Sequence, residues 1–350
     1  NAKADSLPGL KGLNFDETDA FIIETTSRND SICYWIKDSL VYGMDTLEVQ
    51  LDYLYTDSLN QLVPRTDTIY LANKLTREQR ERIQKEAEEE KEKERKKREK
   101  KGLEPEKEPT PFLKMNVDAP SSFDINKNVV LAFDEPVVRF DTAAIHMQVK
   151  VDTLWEDTPF LLRPDSVLPR TYEILAGWEP EKEYKLTIDS AAVTGLYGLH
   201  TNKSEHTMKV KKLDEYGTLL LNVKNALPGS IVELIDNSGK VLRQQPVTQE
   251  GTADFYFLAP NSKYYIRLFE DRNGNGKWDT GNYSKGLQPE AVYYFPKVWE
   301  MKANFEFEED WDIHEVPWDR QKLDEIKKQK PEQEKKIKDR NKERAKKLGR

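Results

Sequence analysis

What most limits the folds open to this chain is a two-residue alternation of apolar and polar side chains, recurring in short runs along most of its length. In TLEVQLDYLYTD, Leu47, Val49, Leu51, Tyr53 and Tyr55 fall on one side, and Thr46, Glu48, Gln50 and Asp52 on the other. Successive side chains of an extended strand point to opposite faces, so the pattern is that of a strand with one face buried. AFIIETT, SICYWIKD and TDTIYLAN read the same way, with SRND and TDSLNQ as turns between them. Four strands make half a sandwich, and the strands that complete it are expected upstream of Asn1.

From Phe112 to about Leu213 the alternation resumes. Its inward sets are Val129, Leu131 and Phe133; Ile145, Met147, Val149 and Val151; Tyr172 and Ile174; Tyr184, Leu186 and Ile188; and Met208 and Val210. A third series runs from about Asp214 to Glu309. There TLLLNVKN turns Leu219, Leu221 and Val223 inward, and SIVELIDNSGKVLRQ reads as a hairpin about Asn237, Ser238 and Gly239. Two further strands flank PNSK, and AVYYFPKV and KANFEFEED close the set. Short strands at near-regular spacing with turn residues between them predict an all-β chain of tandem antiparallel β-sandwiches. A length of 350 residues suits two or three domains of about 100 residues each. The expected division is 1–113, a partial β-domain carrying a charged helix over 76–101; 114–213 and 214–310, two sandwiches; and 311–350, a basic tail.

The hydrophobic fraction is low, 37%, and the charged fraction high, 34%, largely because of two segments. Arg77–Lys101 holds 12 basic and 9 acidic residues, with only Ile83 and Ala87 apolar. Acids precede bases at four-residue spacing, as in Glu78 with Arg82 and Glu89 with Lys93, which supports a solvated helix by about 0.2–0.5 kcal/mol per pair. That helix has no face to bury and reads as a solvated excursion between strands, with a spacer or partner-binding arm as the alternative. The second segment, 320–350, holds 14 Lys and Arg against 6 Asp and Glu, so it carries +8 of a chain total of -8. Its bases are mixed with acids and lack interleaved aromatics, so nucleic acid is not expected as a partner. Leu323, Ile326, Ile337 and Leu348 are too sparse for a membrane-lying face. No run of 18 apolar residues occurs. The chain opens on Asn1 rather than Met, and a removed upstream segment is expected to have carried any targeting signal.

Candidate chemistry is thin. The single cysteine, Cys33, excludes an internal disulfide framework and any cysteine-based zinc site, and its apolar context predicts a buried thiol. His146, His200, His206 and His314 show no ligand spacing, and His146 is expected to face solvent. No Gly-x-Ser-x-Gly elbow or phosphate loop occurs, so no catalytic residue is assigned. The strongest motif is DRNGNGKWDTGN, which follows the strand YYIRLFE where a hairpin connection belongs. On a twelve-residue calcium loop, Asp271, Asn273 and Asn275 take the first ligand positions, Lys277 offers its carbonyl and Asp279 follows. The usual bidentate acid is missing unless Glu290 folds back. The same Asn-Gly pattern closes Asx-turns without metal, so a weak structural calcium and a plain turn both stand. Trp155, Phe160, Trp178, Trp299, Trp311 and Trp318 are candidates either for core packing or for a glycan platform. Paired carboxylates of a glycosidase are defined by their separation in space, which no sequence gives.

NVVLAFDEPVVRFD, then GWEPEKEYKLTIDSAAVTGLYGLHTNKSEHTMKVKKLDEYGTLLLNV, resembles the bacterial Ig-like (SbsA-type) domain lipoproteins of the Bacteroidetes. In those chains an Ig-like module precedes a transthyretin-like or Cna-B-like sandwich with an Asp-x-Asn-x-Asn-Gly loop. LFEDRNGNGKWDTGNYSKGLQPEAVYY matches it through Asp271, Asn273, Asn275, Gly276, Asp279, Pro289 and Glu290. The resemblance covers most of residues 14–310. It implies an upstream lipid-anchor cysteine, placement at the outer membrane and no catalytic residues. The expected function is a non-enzymatic envelope scaffold with a protein partner. A carbohydrate-binding module and a glycosidase-like enzyme are the alternatives.

Overall fold

The computed structural model describes residues 7–26, 29, 31–59, 61–75 and 111–327, with scattered positions between 78 and 92. The chain divides into two compact units, Asn1–Val210 and Lys211–Arg350.

The first unit opens with a three-stranded sheet, ordered Gly9–Gly12, Thr46–Thr56, Leu62–Ala72, and a separate hairpin, Phe21–Thr25 with Ile32–Ile36. Ala20, Val41, Leu47 and Val49 are buried between them, with Phe15, Phe21 and Ile36 packed alongside. The inward face of Thr46–Thr56 leaves this small core after Leu51. Beyond it Tyr53 donates to Asp67 at 2.5 Å, and the Arg65 guanidinium lies 5.1 Å over the Tyr55 ring. Alternation therefore continues where burial has stopped. The expectation of a buried thiol is corrected here: Cys33 is exposed, because it alternates with Ile32 and Tyr34 and takes the outer side of its strand.

Residues 115–210 form two larger sheets. One is ordered Leu154–Asp157, Ile145–Val151, Glu183–Ile188, Ser204–Val210, Ser122–Phe123; the other Phe160–Pro164, Thr171–Ala176, Val129–Phe133, Met115–Asp118. Val129, Leu131, Ile174, Leu186, Ile188 and Met208 are fully enclosed, as the period-two pattern requires. All ladders in these sheets are antiparallel except the short pairing of Ser204–Val210 with Ser122–Phe123.

In the second unit, Thr252–Leu258 and Phe305–Asp312 flank Gly217–Lys224. A second sheet runs Val241–Pro246, Ile231–Ile235, Lys263–Phe269, Val292–Tyr294, with Trp299–Glu300 pairing the start of Lys263–Phe269. Leu219, Leu221, Val232, Leu234, Phe255, Ile266, Leu268 and Met301 fill the space between. Phe305–Asp312 runs parallel to Gly217–Lys224, an exception to the antiparallel rule. All five residues of Ile231–Ile235 are buried, because this sheet is covered on its outer side as well.

That cover corrects the expected tail. Within 311–327 several side chains are packed: Trp311 is 3% exposed, Ile313 1% and Ile326 7%, and Ile326 meets Ile235 and Tyr265 on the outer face. Gln321, 3% exposed, donates to the carbonyls of Ile313 and Val316 and accepts from the Tyr294 amide. Tyr265 donates to Glu325, and that bond, with burial, pushes the phenol pKa up to about 12. Residues 328–350 lie outside the described residues, as does most of the charged helix over 76–101. Its described positions are helical, and one ion pair between them is Arg82–Glu86, 2.8 Å, with the base preceding the acid.

Both sandwiches carry the same tyrosine staple. Pro180-Glu181-Lys182-Glu183-Tyr184 and Pro260-Asn261-Ser262-Lys263-Tyr264 each place a residue of positive φ after the proline, Glu181 at 66° and Asn261 at 57°. The hydroxyl of Tyr184 accepts from the Glu179 amide and donates to the Gly177 carbonyl, both at 2.9 Å. The hydroxyl of Tyr264 accepts from the Ala259 amide at 3.1 Å and donates to its carbonyl at 3.3 Å. The tyrosine thus fixes the turn entering its own strand, as at the corners of Ig-type sandwiches. Tyr184→Phe removes both bonds to partly exposed backbone groups and is expected to cost about 0.5–1.5 kcal/mol, read as a lower denaturant midpoint at unchanged m-value.

Candidate functional site

The loop after Lys263–Phe269 connects that strand to its antiparallel neighbour Val292–Tyr294, so DRNGNGKWDTGN lies within a hairpin connection as expected. Asp271 organises its start. Its carboxylate accepts from the amides of Gly274 (2.8 Å), Asn275 (3.1 Å) and Gly276 (2.7 Å). Such convergence requires left-handed backbone, supplied by Gly274 at φ +71° and Gly276 at φ +74°. The side-chain amides of Asn273 and Asn275 both donate to Asp279 Oδ2, at 2.5 and 2.7 Å, while their oxygens accept from the Asn275 and Lys277 amides.

Glu290 does fold back. It is 7% exposed, and its two carboxylate oxygens accept from the amides of Arg272 (2.9 Å) and Asp279 (3.0 Å), tying both limbs of the loop together. Its backbone carbonyl accepts from the Trp278 indole at 3.0 Å. Asp271, Asn273, Asn275, Asp279 and Glu290 are therefore gathered in one loop, and the Lys277 amide is bound to Asn275 within it. As a set they suit calcium in kind, being oxygen-bearing, but the two Asn amide groups face Asp279 with N–H rather than oxygen. Among the described residues, no group of three or more His, Cys, Asp or Glu is placed to hold a metal ion.

The same loop borders a cavity of about 450 Å³ on the outer side of the sheet. Phe269, Val292 and Tyr294 line it from the strands, Trp278 from the loop, and Trp318, Asp319, Lys322 and Lys327 from the C-terminal cover. Trp278 is 44% exposed and Trp318 70%. The Trp318 indole donates to the Val292 carbonyl at 2.9 Å. The carbonyls of Glu290 and Val292 and the amide of Tyr294 lie along the free edge of the sheet, and Trp278, Trp318 and Gln321 cap them in turn. Side chains thus block an edge that would otherwise accept another strand. Of the aromatic candidates, Trp299 and Trp311 are buried, Trp178 packs on Phe123 and Tyr184, and Trp155 lies under Lys150 and Lys185. Trp318 alone of that set reaches this cavity. Trp278 sits outside any periodic run, and its position inside the Asp-Asn loop was the sole signal pointing to it.

The buried carboxylates of this unit all have partners. Glu233, 3% exposed, accepts from Arg267 Nε and from Gln244 at 2.7 Å. Glu270, 8% exposed, takes Arg272 at 3.0 Å and the Tyr293 hydroxyl at 3.2 Å. The acids at 309–315 border a smaller cavity of about 170 Å³. There the Lys224 and Asn222 bonds hold Asp310 below the usual carboxylate range, and the Asn225 bond with the His314 amide holds Asp312 low. A glycosidase needs one carboxyl of a facing pair held protonated, and these two are shifted the other way.

The histidines do not converge. His146 is exposed beside Asp189 at 3.2 Å, His200 meets Thr194, His314 packs edge-on to Tyr293, and burial pushes His206 down. In the first unit, burial raises Glu135, whose Oε1 has no hydrogen-bond partner. A raised carboxyl pKa lets the folded state keep a proton that the unfolded chain has lost. Its contribution to stability is therefore fully present below the usual glutamate pKa and is lost as pH rises through the folded value. Glu135→Gln is expected to be more stable than wild type at neutral pH, with the difference vanishing in acid, read by thermal melts across pH.

No family model matches the sequence, and no curated protein matches it. Solved structures that resemble it include the N-terminal part of the bacterial S-layer protein SbsC, at 14% identity and TM-score 0.24, covering 46% of this chain and 42% of that one. Native alpha-2-macroglobulin from Escherichia coli follows at 9% identity and TM-score 0.26, covering 53% and 90%. The Bacillus anthracis TIE protein is similar at 11% identity and TM-score 0.19, covering 87% and 51%. The chain spans less than half of the SbsC structure it matches.

Proposed function

We propose that this chain is a non-enzymatic interaction module of the bacterial cell envelope, presenting β-sandwich units to a protein partner. The observation that carries this reading is the employment of Glu233, Glu270 and Glu290. Each is buried, and each is engaged by backbone or side-chain donors that tie strands or loop limbs together. The resemblance to Bacteroidetes envelope lipoproteins supports the location and an upstream lipid anchor. The test is cross-linking of the full-length protein in intact cells, followed by fractionation. A discrete cross-linked partner in the outer-membrane fraction supports the proposal. Recovery as an uncross-linked soluble monomer, or glycoside turnover abolished by a single Asp→Asn or Glu→Gln change, overturns it.

Calcium belongs to the same proposal as an accessory to the loop. Turning the two Asn amides brings their oxygens to face Asp279, at the cost of the Asn275 and Lys277 backbone bonds, so any ion is held weakly. At tenfold saturation such a site adds about 1.4 kcal/mol. Millimolar calcium is thus expected to raise the melting temperature by a few degrees in wild type and not in Asp271→Ala. An unchanged wild-type melt leaves the loop as a metal-free turn.

A further inference from the structure

We infer that the cavity bordered by Trp278 and Trp318 is a glycan-binding site, taking a neutral pyranose unit of a polysaccharide. Its size, about 450 Å³, falls in the range of small-molecule sites, about 300–1,000 Å³. Two indoles line it with their N–H groups already spent on the Glu290 and Val292 carbonyls, so each ring is fixed in orientation while much of its surface stays exposed. A pyranose ring offers C–H faces that pack on such rings without loss of rotamer freedom.

The rim supplies the complementary polar groups. Lys322 lies 4.9 Å over the Tyr294 ring, and neither it nor Asp319 has a salt-bridge partner among the described residues. One free ammonium donor and one free carboxylate acceptor on a shared rim match vicinal hydroxyls, which donate and accept at once. The other two cations are already neutralised, Arg267 by Glu233 and Lys327 by Asp324. Among the described residues that line it, the charges therefore balance, with none of the positive excess that selects an acidic peptide or an anionic headgroup. A second feature agrees: Trp278 is held by the Glu290-anchored loop, so the most elaborate hydrogen-bonded loop of the unit ends by placing a ring on this cavity.

The test is affinity electrophoresis of the full chain through gels containing dextran, xylan, laminarin or solubilised peptidoglycan, with tryptophan fluorescence as a second readout. Wild type is expected to be retarded by at least one of them, with about tenfold weaker binding in Trp318→Ala. Asp319→Asn and Lys322→Gln, which leave the fold unstressed, are expected to weaken it at least threefold. Absence of retardation in every gel overturns the inference. So does retardation that survives all three substitutions in proteins with wild-type circular dichroism. Fluorescence that responds to an acidic peptide rather than to any polysaccharide assigns the cavity to peptide and equally overturns it.

Discussion

Glu233→Ala is expected to destabilise the second unit by about 3–5 kcal/mol, the largest loss from any single carboxylate here, measured by denaturant unfolding. The charge sits 3% exposed in the centre of a sheet whose two faces are both covered, and its cost of burial is offset by Arg267 and Gln244. Truncation leaves the half-buried Arg267 guanidinium in the same surroundings without its counter-charge. Removing both partners is a different experiment. Glu233→Leu combined with Arg267→Met is expected to recover most of the loss, because a buried ion pair and a packed apolar pair of similar volume are nearly equivalent. Near-additive losses in that double variant would show that packing, not charge, dominates the site.

The second large effect is expected from Glu290→Ala, about 2–3 kcal/mol, through loss of two charge-assisted bonds from loop amides to a buried carboxylate. The consequence reaches past stability. Without the clamp the limbs of the loop separate at Arg272 and Asp279, and Trp278, still bonded to the residue 290 carbonyl but next to a released Asp279, is held less firmly on the cavity wall. A change in tryptophan emission is expected alongside the fall in midpoint. Glu290→Gln keeps one acceptor and is expected to fall between the two. An Ala variant with wild-type emission would detach Trp278 from the clamp.

Much of the architecture is written in the period of two. Leu131, Leu186, Met208, Leu219 and Leu221 could be placed inward from their alternation alone, and each is fully buried. What the alternation does not encode is where burial stops and which strand is the neighbour. Tyr53 and Tyr55 keep the pattern beyond the edge of the core, and Phe305–Asp312 finds a parallel partner more than eighty residues away. Local sequence carries no signal for that pairing. The cover at 313–327 was hidden for another reason: it is held by Gln321 satisfying three backbone groups and by scattered apolar contacts, none of which forms a period. The repeated Pro-x-x-x-Tyr staple emerges only from the fold, where each hydroxyl is seen to return to its own turn.

The candidate site divides similarly. The Asp-Asn-Gly pattern gave the loop and its turn chemistry, and Glu290 could be suspected of returning to it. That Glu290 binds amides, and that the loop delivers Trp278 to a cavity completed by Trp318, depends on elements brought together only by folding.

Amide hydrogen exchange of Arg272 and Asp279 tests the central claim most directly, namely that the Glu290 carboxylate is a structural clamp. Both amides are predicted to exchange about 100-fold or more slower than in an unstructured peptide, and to lose that protection in Glu290→Ala while the amides of Gly217–Lys224 keep theirs. Rapid exchange at both positions in the wild-type protein would contradict it.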